Sequence, residues 1–150
     1  MAATLKRTVG VIVVLAIGLQ FTSPAHTNPP YDESKSLERA AVVPDDVARV
    51  FAKACNDCHS NRTNWRWYTY VAPVSWLTVS HVNHGRTELN FSVWGTYGSR
   101  MRETRLRAIC HETRDGSMPL RQYALVHPGT KPSPDQIRSI CDWTESELRR

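Results

Sequence analysis

Residues 54–61 read ACNDCHSN, which places two thiols, Cys55 and Cys58, one helical turn apart and an imidazole, His59, directly after the second. Cys-x-x-Cys-His is the attachment pattern of c-type haem, and each residue type has a chemical reason to be there. Two thiols at this spacing on one side of a helix can add to the two vinyl groups of a porphyrin, and the following imidazole can reach the iron as its proximal ligand. Three other chemistries use part of the pattern. A thioredoxin-like redox pair sits at a helix start after a strand, and no βαβ pattern surrounds these cysteines. A structural zinc site wants a second ligand pair at similar spacing, whereas the remaining cysteines, Cys110 and Cys141, are 31 residues apart. A simple disulfide between Cys55 and Cys58 leaves His59 unexplained.

A haem iron has a sixth position. Met1 is the initiator and Met101 falls in an arginine-rich segment, so the thioether candidate is Met118 in "GSMPL", 59 residues beyond His59. His/Met ligation raises the reduction potential of cytochromes c. His81, His84, His111 and His127 are rival ligands. Met118 filling a core gap, as methionines commonly do, is the plainer reading. Cys110 and Cys141 lie on apolar stripes of two expected helices, and a bond between them suits an oxidising compartment. Two buried free thiols are the alternative.

These groups need elements to carry them. Lys6 and Arg7 precede an apolar run from Val9 to Leu19, followed by "TSPAHT", so residues 1–25 read as an export signal cleaved after Ala25 or as an N-terminal membrane anchor. The apolar run is shorter than the ~20 residues that span a bilayer. Residues 26–43 are polar and proline-bearing and read as a flexible linker. The domain then occupies residues 44–150. Pro44 and two acids open a helix whose Val47, Val50, Phe51 and Ala54 share a face and which delivers Cys55 on its last turn. Further helices are expected from Pro73 to Gly85, from Ser99 to Asp115 with Gly116 as its stop, and from Ser133 to Leu148. The proline-rich stretch between the last two reads as irregular. No alternating strand pattern exists, so the fold class is all-α, three to five helices joined by long loops.

Removing residues 1–25 takes Lys6 and Arg7 with it and lowers the formal charge from +5 to +3. That mild bias lacks the dense basic stripe of a nucleic-acid binder. Arg100, Arg102, Arg105, Arg107 and Arg114 read as a solvated helix face, with a docking patch or propionate partners as the alternative. Trp65, Trp67, Tyr68, Tyr70, Trp76 and Trp94 crowd the region after the motif, where some would line a haem or bond a propionate. The carbonyl of Pro73 is the candidate acceptor for the second N–H of His59.

The stretches "CNDCHSNRTNW", "WYTYVAPVSWL", "HVNHGRTELNFSVW", "MPLRQY" and "HPGTKPSPDQ" together resemble the bacterial haem-binding domain family, small exported proteins related to class I cytochromes c. The resemblance implies a class I cytochrome c-like fold around one covalently attached haem c, with thioethers at Cys55 and Cys58, proximal ligation by His59 and distal ligation by Met118. Arg66 stands where the family usually has proline between two tryptophans, and Val93 where an acid often precedes the last tryptophan of its motif. The expectation is an exported, periplasmic or otherwise extracytoplasmic electron carrier rather than an enzyme, serving redox partner proteins and associating with membrane through its N-terminal apolar segment. A haem-based sensor or small peroxidase is the first alternative, and a thiol oxidoreductase or zinc module without haem the second.

Overall fold

The computed structural model describes residues 1–150, the side chain of Ala3 excepted. It is all-helical, without a strand among the described residues. The α-helices are α1 (Ala2–Gln20), α2 (Leu37–Ala40), α3 (Asp45–Ala54), α4 (Asn56–His59), α5 (Val74–Glu88), α6 (Ser99–Arg114), α7 (Arg121–Val126) and α8 (Pro134–Leu148). Short 3₁₀ turns occupy Glu33–Lys35, Trp67–Tyr70 and Phe91–Thr96.

The long helices follow from local chemistry. α3 begins after Pro44 with Asp45 and Asp46 in its first turn, where carboxylates favour the positive end of the helix dipole, and it buries Val47, Val50, Phe51 and Ala54. α8 carries a capping box in which the Ser133 hydroxyl accepts from the Gln136 amide while the Gln136 side chain accepts from the Ser133 amide. α6 ends at Arg114, and Gly116 takes the left-handed conformation beyond it, φ 74°. α6 packs on α8, and Cys110 is joined to Cys141 across that contact. The closed loop restricts the unfolded chain, an effect of about 3–4 kcal/mol for this separation.

The core lies where α3, α6 and α8 meet, filled by residues such as Phe51, Leu106, Ile140 and Trp143, with Phe91 and Trp94 from the 3₁₀ segment and Leu37 from α2. Phe51 stacks on Phe91 and meets Trp143 edge-on.

The structure differs from expectation at three points. Helix α7 occupies part of the proline-rich stretch expected to be irregular, because Pro119 precedes it and Pro128 follows it, leaving Arg121–Val126 free of proline. With α7 and the one-turn α4, six α-helices follow Pro44, more than the three to five expected. Residues 26–43, expected to be a flexible linker, form a strap fixed to the domain. His26 Nε2 bonds the Thr69 carbonyl at 2.7 Å and stacks on Tyr70, the Asn28 amide donates to the Thr63 carbonyl, and Asn61 donates to the Pro30 carbonyl. Arg86 reaches Thr27 and Asn28 from α5, and Leu37 is 2% exposed. A strap held by side-chain to backbone bonds has no apolar period to betray it.

α1 projects its apolar side chains from Val9 to Leu19 into exposure, and Phe21 just beyond it is exposed as well. No helix among the described residues is long and apolar enough to cross a membrane.

Candidate haem site

α3 ends at Ala54 and the chain turns at once into α4, so Cys55, Cys58 and His59 are presented on the single turn that follows α3. The amides of Cys58 and His59 both bond the Cys55 carbonyl, at 3.1 and 2.9 Å, which locks the motif into one turn. That turn lies flat against α5. A Cβ at Gly85 would stand 2.7 Å from the Cys58 carbonyl oxygen, so only glycine admits this approach.

Close approach brings the end of α5 to the imidazole. His59 Nδ1 is 3.0 Å from the Gly85 carbonyl oxygen and 3.1 Å from that of Leu89. Both partners only accept, so Nδ1 carries the hydrogen and Nε2 keeps its lone pair. Burial also holds the His59 pKa below the usual value, which favours the neutral ring. Pro73 is therefore not the acceptor. Its carbonyl begins α5 by accepting from Leu77, at the far end of the helix from His59.

Cys55, Cys58 and His59 face a cavity of about 490 Å³ bounded by α3, α5, α6 and the segment around Met118. Its apolar wall comes from residues such as Val50, Phe51, Leu89, Phe91, Ile109 and Leu120. Met118 and Pro119 line the same cavity. The Met118 amide donates to the Glu112 carbonyl at 3.0 Å, tying this segment to α6. Among the rival histidines, His81 and His84 also line the cavity, from α5. His111 is exposed beside Glu112 and Asp115, and His127 is turned toward Tyr68 and Tyr123.

The thiols of Cys55 and Cys58 are unbonded. Burial pushes Cys55 up to about 12, with Cys58 beside it adding to the rise. Burial and the Asp57 carboxylate push Cys58 up to about 11. Both are neutral thiols near pH 7, whereas a redox nucleophile or a zinc ligand works as thiolate. No cluster of three or more metal-binding side chains exists among the described residues.

Charged side chains on the cavity wall are Arg105, Glu88 and Glu112. Arg105 of α6 pairs with Glu88 at 3.1 Å through one terminal nitrogen, while its buried Nε has no partner. Elsewhere on that helix Arg107 bonds Glu103, Arg114 bonds the Cys110 sulfur and Arg102 bonds the Gly95 carbonyl, although the Arg102 Nε is also unpartnered. None of Trp65, Trp67, Tyr68, Tyr70, Trp76 and Trp94 lines the cavity. Its aromatic walls are Phe51, Phe91 and Tyr123. The Tyr123 hydroxyl donates to Asp57 at 2.9 Å, an interaction that the pattern MPLRQY did not disclose.

An apolar cavity of this size, a neutral imidazole with a free nitrogen, two protonated thiols and an arginine N–H in want of an acceptor fit a macrocycle with two carboxylate arms. The fold and site are those of a small helical haem-binding domain. The family described as haem-binding domain matches residues 14–146, nearly the whole chain and the strap with it, and the protein belongs to that family. Among curated proteins and solved structures, none matches the chain.

Proposed function

We propose that this is an exported monohaem c-type protein that carries or relays electrons, with the haem joined through Cys55 and Cys58, His59 as proximal ligand and Met118 as distal ligand. The observation that carries the reading is the meeting of these four residues on one apolar cavity, with His59 oriented so that Nε2 alone is available to a metal. Bound there, the haem supplies an iron that cycles between ferric and ferrous states.

The chain's own residues do the rest. Gly85 and Leu89 hold the imidazole tautomer and strengthen its basicity as a ligand. The apolar wall would limit water beside the iron, and the Arg105 Nε–H would donate to a propionate. The class I cytochrome c relationship is supported by the order of the parts: a motif at the end of the first domain helix, a methionine loop after a long helix, and a closing C-terminal helix. Export is supported by Lys6, Arg7 and the apolar run after them. If that segment is retained, it attaches the domain to the membrane surface.

The test is carbon monoxide binding to the ferrous holoprotein, followed through a redox titration. A reversible one-electron couple with slow, weak carbon monoxide binding is expected, and Met118→Ala should bind the gas rapidly and lower the potential. Rapid, tight binding by the unaltered protein would overturn the His/Met carrier and favour a sensor or peroxidase.

A further inference from the structure

Three rings lead outward from the cavity wall in a direction that the ligands do not use. Tyr123 lines the cavity, and its ring stacks on His127 with centroids 4.0 Å apart. His127 Nε2 lies 2.8 Å from the Tyr68 hydroxyl. Tyr68 meets Trp67 edge-on at 6.0 Å, and the Trp67 side chain is 79% exposed. A continuous row of rings, oxidisable at Tyr123, Tyr68 and Trp67 and bridged by His127, thus joins the cavity to solvent.

The protons along this row are fixed by their partners. His127 Nδ1 is 2.9 Å from the Tyr123 carbonyl, which only accepts, so Nδ1 carries the hydrogen and Nε2 the lone pair. The Tyr68 hydroxyl therefore donates to His127. A phenol gives up an electron readily only when its proton has somewhere to go, and a lone-pair nitrogen at 2.8 Å provides that place. His127 is buried at 9% exposure, lies off the cavity wall, and its ring nitrogens are spent on these two bonds.

We propose that Trp67, Tyr68, His127 and Tyr123 form an exit for oxidising equivalents generated when Met118 gives way to a hydroperoxide at the haem site, which rests on the haem reading above. The O–O bond breaks and takes up two electrons and two protons, giving water and an alcohol. A haem held by Cys55, Cys58 and His59 would supply these two electrons, and the residues of the row would replace them one at a time. Each replacement electron passes from Tyr68 across the His127–Tyr123 stack to the haem, as the Tyr68 proton moves to His127 Nε2. Trp67 then returns an electron to Tyr68, and the proton goes back to the phenolate oxygen. The vacancy at Trp67 is filled at the surface by a small phenol, which loses one electron and one proton. Two phenols are converted to phenoxyl radicals for each hydroperoxide.

The experiment mixes hydrogen peroxide with the holoprotein and with its Met118→Ala form, whose sixth position is open, and freezes both for electron paramagnetic resonance. Haem content is fixed beforehand by the pyridine adduct. A tyrosyl radical is expected in the Met118→Ala form, falling about tenfold or more when Tyr68→Phe is added, with faster bleaching of the haem. Trp67→Phe should prolong the radical, and Tyr31→Phe, at an exposed tyrosine off the path, should leave it unchanged. An equal signal in the Tyr68→Phe protein, bleaching without any protein radical, or no peroxide consumption by either form would overturn the exit path. Protein that holds no haem would instead defeat the reading on which it rests.

Discussion

His59 and Gly85 are coupled twice: the imidazole Nδ1–H donates to the Gly85 carbonyl at 3.0 Å, and the missing side chain of Gly85 lets the turn bearing His59 lie against α5. Helix packing and imidazole orientation are therefore one event. Gly85→Ala places a methyl 2.7 Å from the Cys58 carbonyl, a backbone atom that cannot swing aside. The substitution should cost about 1–3 kcal/mol through overpacking despite its gain in helix propensity. It should also reduce the haem retained per chain, and thermal unfolding with haem quantitation checks both.

The thiols give the haem-free chain an alkaline limit. Their folded-state values, about 12 for Cys55 and about 11 for Cys58, exceed the unfolded value of 9.0, so the folded state keeps protons that the unfolded state releases. Stability from this source is complete below pH 9 and is withdrawn as pH rises through about 11 to 12. Thioethers have no such proton, so the holoprotein should lack the decline. Denaturant midpoints of the two forms between pH 8 and 12 would show it.

Arg105 sets charge beside the cavity. Arg105→Gln removes a cation that favours the electron-rich state of a nearby redox centre, so the reduction potential should fall. The shift should shrink with added salt if Arg105 stays solvated, and persist if its Nε is bonded within the site. Potentiometric titration at low and high ionic strength separates the two.

The bond between Cys110 and Cys141 ties α6 to α8, and both helices reach the cavity wall, through Ile109 and Ile140. Replacing both cysteines by alanine should lower stability by about 3–4 kcal/mol and the melting temperature by on the order of 10 °C. Calorimetry of the double variant measures the loss.

Much of this arrangement was legible before any coordinates. Val47, Val50, Phe51 and Ala54 announce α3 by their spacing, and Ser133 with Gln136 announces the start of α8. Local signals of this kind act within one element. The strap escaped because His26, Asn28 and Asn61 bond backbone groups far along the chain, where no periodicity records the pairing. The acceptor for His59 was misplaced to Pro73 for the same reason: which end of α5 meets the motif depends on Gly85, whose role is a contact rather than a turn. Tyr123 escaped because its bond to Asp57 spans 66 residues. Composition alone could not tell which aromatics face the cavity, since Trp94 is core and Trp67 is exposed.

Covalent attachment through Cys55 and Cys58 tests the account most directly. The protein, expressed with c-type maturation machinery, should after denaturation retain one haem per chain by intact mass, with neither cysteine open to alkylation. Haem that departs on denaturation, leaving two alkylatable thiols at Cys55 and Cys58, would contradict it.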